Sequence, residues 1–580
     1  MLIKHRKLPN EAPLDPKLPP ILDRLLRLRG VQDANEVSTK ASHLLHFKDL
    51  KGIFAAAQLL RDAVINNQTI CIVGDFDADG ATSTALCMLS LRDLGHQPDK
   101  LRYIVPNRFD FGYGLTPPVV DMAHQQGADL IMTVDNGISS VEGVAHAKAK
   151  GIKVLISDHH LAPKEVPQAD AIVNPNQADC SFKSKHIAGV GVAFYVMSAL
   201  KHALNEAGYF AERHLSEPNL AQYLDLVALG TVADVVPLDH NNRILVHQGL
   251  QRIRAGKTRP GIQALLDVAS RKAHRLASSD LGFVLGPRLN AAGRISDMSV
   301  GIECLISESY EHAYSLATQL DALNRERRSI EQQMQLRAQE ALESISLDEN
   351  TLPAAIVLFD EDFHQGVVGI LAGRIKEKYF RPTIAFALEN ETQADSPDAV
   401  LKGSARSIPG VHIRDVLERV HSLYPGLINK FGGHAMAAGL SLPRASLDDF
   451  EKAFLQCADE AMRGLPSAQT LMSDGPLDTN ELQLETAQLL KMSMPWGQQF
   501  EEPLFDDVFE IIQQRIVGEK HLKLIVKKDE QVFDAIAFNV DLTVWPDKQI
   551  PRVHLAYRLD VNEYQNQVSV QLLVSDLAPC

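Results

Sequence analysis

A chain of 580 residues exceeds what one hydrophobic core supports and should divide into about three or four domains. Its 45% hydrophobic and 23% charged content is ordinary for a globular protein, and no run of ~18 uncharged apolar residues offers a membrane span. The net charge of −15 excludes a generally basic nucleic-acid binder, so any polyanion must be met by a local patch.

The basic start, Met1 to Lys7, is followed by no apolar signal-peptide core. Prolines at positions 9, 13, 16, 19 and 20 lead to a helix-like stretch, Ile21 to Arg29, and residues 1–45 read as an N-terminal arm entering the first domain. From there to about residue 270, apolar runs alternate with helical patterns, which predicts βαβ units and a mostly parallel sheet. Helical spacing covers Phe54 to Ile65 and Ser83 to Leu94. Thr69 to Val73 is a short β-branched run ending in Gly74-Asp75-Phe76-Asp77-Ala78-Asp79-Gly80. Asp129 to Val134 ends in Asp135-Asn136-Gly137, and Ile152 to Ile156 ends in Ser157-Asp158-His159-His160. Ala228 to Ala233 leads into Asp234 as a fourth such end.

One acidic Asp-Gly segment alone reads as an ordinary turn. Four strand ends carrying acids and histidines to one rim read as a site, because open α/β sheets bind ligands outside the carboxyl ends of their strands. Carboxylates crowded there repel unless a cation neutralises them. A helix opening just after the acidic loop would also aim its first N–H groups at phosphate oxygens. Carboxylate-dominated ligation favours Mn²⁺ or Mg²⁺ over Zn²⁺, and a histidine tilts the choice toward Mn²⁺. Two such ions could clamp the attacking and leaving oxygens of a phosphoryl transfer, with Asp135 as the bridge. In an extended backbone His159 and His160 point to opposite sides, one toward metal and the other toward phosphate. No CxxC spacing suggests structural zinc, and cysteines 71, 87, 180, 304, 457 and 580 are scattered as in a protein of the reducing cytoplasm, with Cys71 and Cys87 in the core.

From Arg243 to Arg275 eight basic residues face one acid, Asp267, which fits either a polyanion track or a solvated helix face. Glu308 to Ile345, free of proline and glycine, predicts one long helix. Strands are expected at Ala354 to Leu358 and Thr383 to Ala387, a helix at Gly369 to Tyr379 and a polar surface loop at Asn390 to Ala399. After residue 468, Val508 to Val517, Leu522 to Lys527, Phe533 to Phe538, Arg552 to Leu559 and Val568 to Val574 predict a five-stranded barrel of the oligonucleotide-binding type. Its aromatics, Phe505, Phe509, Phe533, Phe538 and Tyr557, are expected in the core.

The acidic loop, Asp135-Asn136-Gly137 and Asp158-His159-His160 together resemble the DHH phosphoesterase superfamily. Val105-Pro106-Asn107-Arg108 before Gly112-Tyr113-Gly114-Leu115, the stretch Gly286-Pro287-Arg288-Leu289-Asn290-Ala291-Ala292-Gly293-Arg294, and Gly432-Gly433-His434-Ala435-Met436-Ala437-Ala438-Gly439 narrow it. Over its whole length the chain is similar to that superfamily's bacterial exonucleases of single-stranded DNA.

The resemblance implies an α/β fold: a parallel-sheet DHH domain (46–307), a connecting helix (308–345), a smaller DHHA1-type α/β domain (346–462) and an OB-like β-barrel (468–580). It implies metal ligands at Asp77, Asp79, Asp135, His159 and Asp234, with Asp75 in the same acidic set, and His160 on the scissile phosphate. Arg108, Ser404 and Arg406 would anchor a 5′-phosphate; Arg288, Arg294, Gly432, Gly433 and His434 would line the strand. The implied activity is Mn²⁺- or Mg²⁺-dependent 5′→3′ hydrolysis of single-stranded DNA to 5′-mononucleotides, serving mismatch, recombinational and base excision repair. Single-strand-binding protein and a RecQ-type helicase are the implied partners of a cytoplasmic monomer. A phosphodiesterase of short oligonucleotides, cyclic dinucleotides or pyrophosphate, and a non-catalytic single-strand-binding scaffold, are the alternatives.

Overall fold

The computed structural model describes residues 2–8, 12–107, 114–344, 353–390, 396, 399–465, 469–547, 549–564 and 567–580. They form two compact units, one built mainly from residues 3–321 and 471–580 and the other from residues 322–470.

In the first unit β1 (Ile70–Gly74), β2 (Leu101–Ile104), β3 (Leu130–Val134), β4 (Lys153–Ser157) and β5 (Ala171–Val173) form a parallel sheet in the order β2-β1-β3-β4-β5. β1 and β3 are buried along their whole length, which is why they read as unbroken apolar runs. The chain turns from one side of the sheet to the other between β1 and β3, the switch point where such sheets open a crevice. The acidic loop and Asp135 both emerge there.

The expected alternation stops at Val173; from there to Ile306 the described structure is helical. Ala228 to Ala233 belongs to a helix, α5 (Leu224–Ala233), preceded by α1 (Pro20–Leu28), α2 (Ile53–Ile65), α3 (Ala78–Asp93) and α4 (Gly189–Glu206). Asp234 therefore follows a helix and not a strand. α5 is buried from Leu224 through Thr231, and an apolar run with no polar face has the same pattern in a buried helix as in a buried strand. Likewise α3 begins at Ala78, not Ser83: Asp77 caps it, accepting the Gly80 N–H at 2.9 Å. A π-helical turn, Leu281–Leu285, runs directly into α6 (Gly286–Ile295).

α7 (Tyr310–Ser344) is the long helix; it begins two residues after the expected Glu308, and the expected end, Ile345, lies outside the described residues. In the second unit β6 (Ile356–Phe359), β7 (Thr383–Leu388), β8 (Val400–Arg406), β9 (Lys430–Gly433) and β10 (Ala437–Pro443) form a mixed sheet in the order β9-β10-β8-β7-β6. One face packs α8 (Val368–Tyr379) with Met334 and Ala338 of α7. Most of the expected loop from Asn390 lies outside the described residues.

β11 (Phe505–Val517), β12 (His521–Lys528), β13 (Gln531–Ala537), β14 (Arg552–Tyr564) and β15 (Gln567–Pro579) close a five-stranded barrel. Phe505, Phe509, Phe533 and Tyr557 fill it, but Phe538 is exposed beside His521, one residue past β13 where strand alternation no longer governs. The N-terminal arm also departs from expectation. Ile21 and Leu25 of α1 complete the barrel's core, and Arg29 makes a two-pronged buried pair with Asp474 at 2.9 and 3.1 Å.

Candidate metal centre

Six of the expected residues converge at the switch point of the first unit. Ligand atoms of Asp75, Asp77 and Asp135 lie within 4.8 Å of one another, as do those of Asp79, His159 and Asp234. The two triads meet where His159 Nε2 stands 3.0 Å from Asp135 Oδ1; Asp234 Oδ2 is 3.5 Å and Asp79 Oδ2 3.9 Å from the same nitrogen. Local backbone fixes these positions. Asp135 adopts a left-handed φ of +61°, a conformation that costs about 1–3 kcal/mol away from glycine and is held by its N–H bond to the Ser157 carbonyl at 3.0 Å. Asp79 sits on the N-terminus of α4, accepting the N–H groups of Gly189 (2.6 Å) and Val190 (2.9 Å), where the helix dipole favours an anion.

The two histidines take different roles. Asp158 is buried and not part of the carboxylate ring. It accepts His160 Nδ1 at 2.8 Å, the N–H groups of His159 and His160, and that of Ile138. Burial lowers the His160 pKa, but the bond and charge of Asp158, with Asp75 and Asp77, outweigh it and raise the value to about 9. His160 is thus an imidazolium oriented by Asp158. For His159, burial and then the charge of His160 push the pKa down to about 4, so that ring is neutral.

A cation fits this donor set. The buried His159 Nε2 has no hydrogen-bond partner among the described residues, yet three carboxylates surround it. Burial and the charge of Asp77 raise Asp79 to about 7; burial and the neighbouring aspartates raise Asp135 and Asp234 well above the carboxylate range. Oxygen donors with one imidazole suit Mn²⁺ or Mg²⁺.

The other expected residues divide. Arg108 lies outside the described residues. Arg288 of α6 is held by Asp321 at 2.9 Å and by the Val284 carbonyl, and Arg294 is half-buried at the far end of that helix. In the second unit Ser404 and Arg406 point from the same face of β8, 3.0 Å apart. Gly369, at the start of α8, approaches both so closely that a Cβ there would fall 2.8 Å from Arg406 Nη2 and 2.9 Å from Ser404 Oγ. A hydroxyl, a guanidinium and a helix N-terminus make an anion cradle. Across the sheet Ser404 registers with Gly439 and Gly439 with Gly432, leaving exposed backbone beside the cradle, with Gly433 and His434 at its edge.

Most of the basic stretch from Arg243 to Arg275 is engaged by partners elsewhere in the chain. Arg243 is buried on the carbonyls of Leu238 and Glu36. Arg254 donates to the Leu276 carbonyl, Arg259 pairs with buried Asp225, and Lys272 and Arg275 both pair with Glu563 of β14. The eight-to-one count could not reveal partners drawn from distant segments.

Sequence reasoning passed over several positioning residues. Asn290 of α6 accepts the Ala78 N–H at 2.7 Å, and Asn136 donates to the carbonyls of Val73 and Val134. Asn174 and Asn176 hold the carbonyls of His160 and His159. Gly189 was signalled only by a Gly-Val-Gly at the head of a helical pattern.

Comparison with known proteins places these elements. The DHH family N-terminal domain matches residues 69–231, the DHHA1 domain residues 352–461 and the RecJ OB domain residues 473–576. The single-stranded-DNA-specific exonuclease RecJ of Escherichia coli (strain K12) is 52% identical over 579 residues, covering 100% of this chain and 99% of that protein. The crystal structure of RecJ with Mn²⁺ from Thermus thermophilus is similar at a TM-score of 0.75 and 27% identity, over 96% of this chain and 76% of that one. Its Mg²⁺ complex matches at 0.71 and 26%, over 97% and 75%.

Proposed function

The chain belongs to the RecJ family, and from that membership we propose that it is a single-stranded-DNA-specific exonuclease, with Mn²⁺ or Mg²⁺ as cofactor, releasing 5′-mononucleotides in the 5′→3′ direction. The observation that carries this reading is the pair of ligand triads meeting at Asp135 and His159.

Asp75, Asp77 and Asp135 would hold one ion and Asp79, His159 and Asp234 a second, with Asp135 between them. Bound there, the metal supplies Lewis-acid activation of water and charge neutralisation at the phosphate. His160, cationic and oriented by Asp158, donates from Nε2 to a phosphate oxygen and stabilises charge that grows in the transition state. Ser404, Arg406 and the N-terminus of α8 take the terminal 5′-phosphate, with Arg108 as the further expected anchor, so that cleavage counts from that end. Arg288, Arg294, Gly432, Gly433 and His434 line the strand. The enzyme acts as a cytoplasmic monomer in DNA repair and recombination, with single-strand-binding protein and a RecQ-type helicase as partners. All six cysteines are free thiols, which supports a reducing compartment. No described helix is long and apolar enough to cross a membrane.

Digestion of long single-stranded DNA labelled at either end tests this. Immediate release of a 5′ label as mononucleotide, abolished by chelator and by Asp79→Ala, is expected. First release from the 3′ end would overturn the Ser404–Arg406 anchor. Equal turnover of dinucleotides and long strands would favour the small-substrate alternative, and binding without cleavage in either metal the scaffold.

A further inference from the structure

We propose that Phe283 is a stacking platform for an unpaired base next to the phosphate held at the metal centre, and so a determinant of single-strand specificity. The inference rests on the nuclease reading above.

Phe283 is 79% exposed. It stands at the middle of the π-helical turn, with Leu281 and Leu285 on either side fully buried. A π turn inserts an extra residue in a helix and re-aims its side chains, and such turns recur at functional sites. The turn is pressed onto the last turn of α5, the helix that ends in Asp234: a Cβ on Gly282 would lie 3.1 Å from Val232 Cγ1, and one on Gly286 3.0 Å from the Ala233 Cβ. The residue after Asp234 is also unusual. Val235 is β-branched, adopts a φ of +60° and is 62% exposed. Two apolar side chains thus reach solvent around one ligand of the metal centre, one on a rigid turn and the other on strained backbone.

Scattered exposed apolar residues need no explanation, but these two lie on the segments that follow and support Asp234. A phosphate held at the metal centre, which Asp234 would help to ligate, brings the adjacent base toward that helix end. An unpaired base offers a free π-face to a ring, and base–aromatic stacking tolerates any sequence. In a duplex those faces are occupied by neighbouring bases. Among the described residues the other exposed rings, Phe54, Tyr310, Tyr314 and Phe538, belong to α2, α7 and the barrel, while Phe505, Phe509, Phe533 and Tyr557 fill the barrel core. Among the described residues, Phe283 is thus the exposed ring set on a turn packed against the helix that leads into Asp234.

The test pairs protein variants with a series of single-stranded oligonucleotides in which one abasic site moves inward from the 5′ end. Steady-state cleavage in Mn²⁺ and fluorescence anisotropy in chelator are both recorded. Wild type should lose roughly tenfold in KM and in affinity at one abasic position near the 5′ end. Phe283→Ala should show that same roughly tenfold loss on the intact strand and no further loss at that position, with the Mn²⁺-induced thermal shift retained; Phe283→Trp should restore binding. An unchanged KM and affinity in Phe283→Ala, or an abasic penalty as large as in wild type at every position, would overturn the proposal. If wild type releases no nucleotides, the nuclease reading falls, and the anisotropy series still decides the stacking.

Discussion

Asp158 makes four hydrogen bonds and none of them to the carboxylate ring, yet the charge state of His160 depends on it. Asp158→Asn keeps the shape and removes the charge that holds a proton on the imidazole. We expect kcat to fall about a hundredfold or more, the scale of a lost acid–base or positioning group, while the thermal shift produced by Mn²⁺ persists, since no member of the two triads has changed. Asp135 behaves the other way. It is buried among Asp79, Asp77, Asp234 and Asp75, whose charges add to burial in opposing its ionisation. Asp135→Asn should stabilise the protein in chelator by about 1–3 kcal/mol, as neutralising a repelled buried charge does. The same variant should lose its thermal response to Mn²⁺ and its cleavage. A differential scanning calorimetry series with and without metal separates the two effects.

At the level of elements, α4 begins where its first backbone must touch the strand ends. A methyl group on Gly189 would come 2.7 Å from both Cβ and Oδ1 of Asp135. Gly189→Ala should leave the circular dichroism spectrum intact, because alanine favours a helix by about 1 kcal/mol over glycine, and yet weaken Mn²⁺ binding at least tenfold in calorimetric titration, a displacement cost of about 1.4 kcal/mol. This dependence was hidden in the sequence, which shows a glycine before a helix but not what lies opposite it. β1, β3 and β4 were legible because each is a continuous apolar run broken by a turn of Gly, Asp or Asn. α5 was not, since burial on every side erases the periodicity that tells a helix from a strand. The start of α3 was obscured because Asp77 is equally at home in a turn and in a cap. Gly432 and Ser404 were each visible in motifs; that they share one face through Gly439 is a fact of sheet register.

Across the whole chain, partners far apart in sequence decide what charge counts mean. Lys272 and Arg275 reach Glu563 in the barrel, exposed pairs worth at most about 1 kcal/mol each. Arg29 and Asp474 are another matter, since both side chains are only 1% exposed and the guanidinium also meets the carbonyls of Leu25 and Glu501 and the face of Trp496. Arg29→Ala leaves Asp474 with Arg6, 3.4 Å away, and the Leu504 N–H as partners and should cost about 3 kcal/mol in urea denaturation, against less than about 1 kcal/mol for Lys272→Ala. The arm that looked like a lead-in to the first domain is part of the last one, with Ile21 and Leu25 seated among Leu477, Phe505 and Tyr557. On the ribosome, α1 leaves the exit tunnel first and its companions emerge about 450 residues later, roughly half a minute to a minute and a half at the usual pace of synthesis. During that interval an amphipathic segment waits without its core, and the nascent protein must keep it from sticking elsewhere until the C-terminal strands arrive.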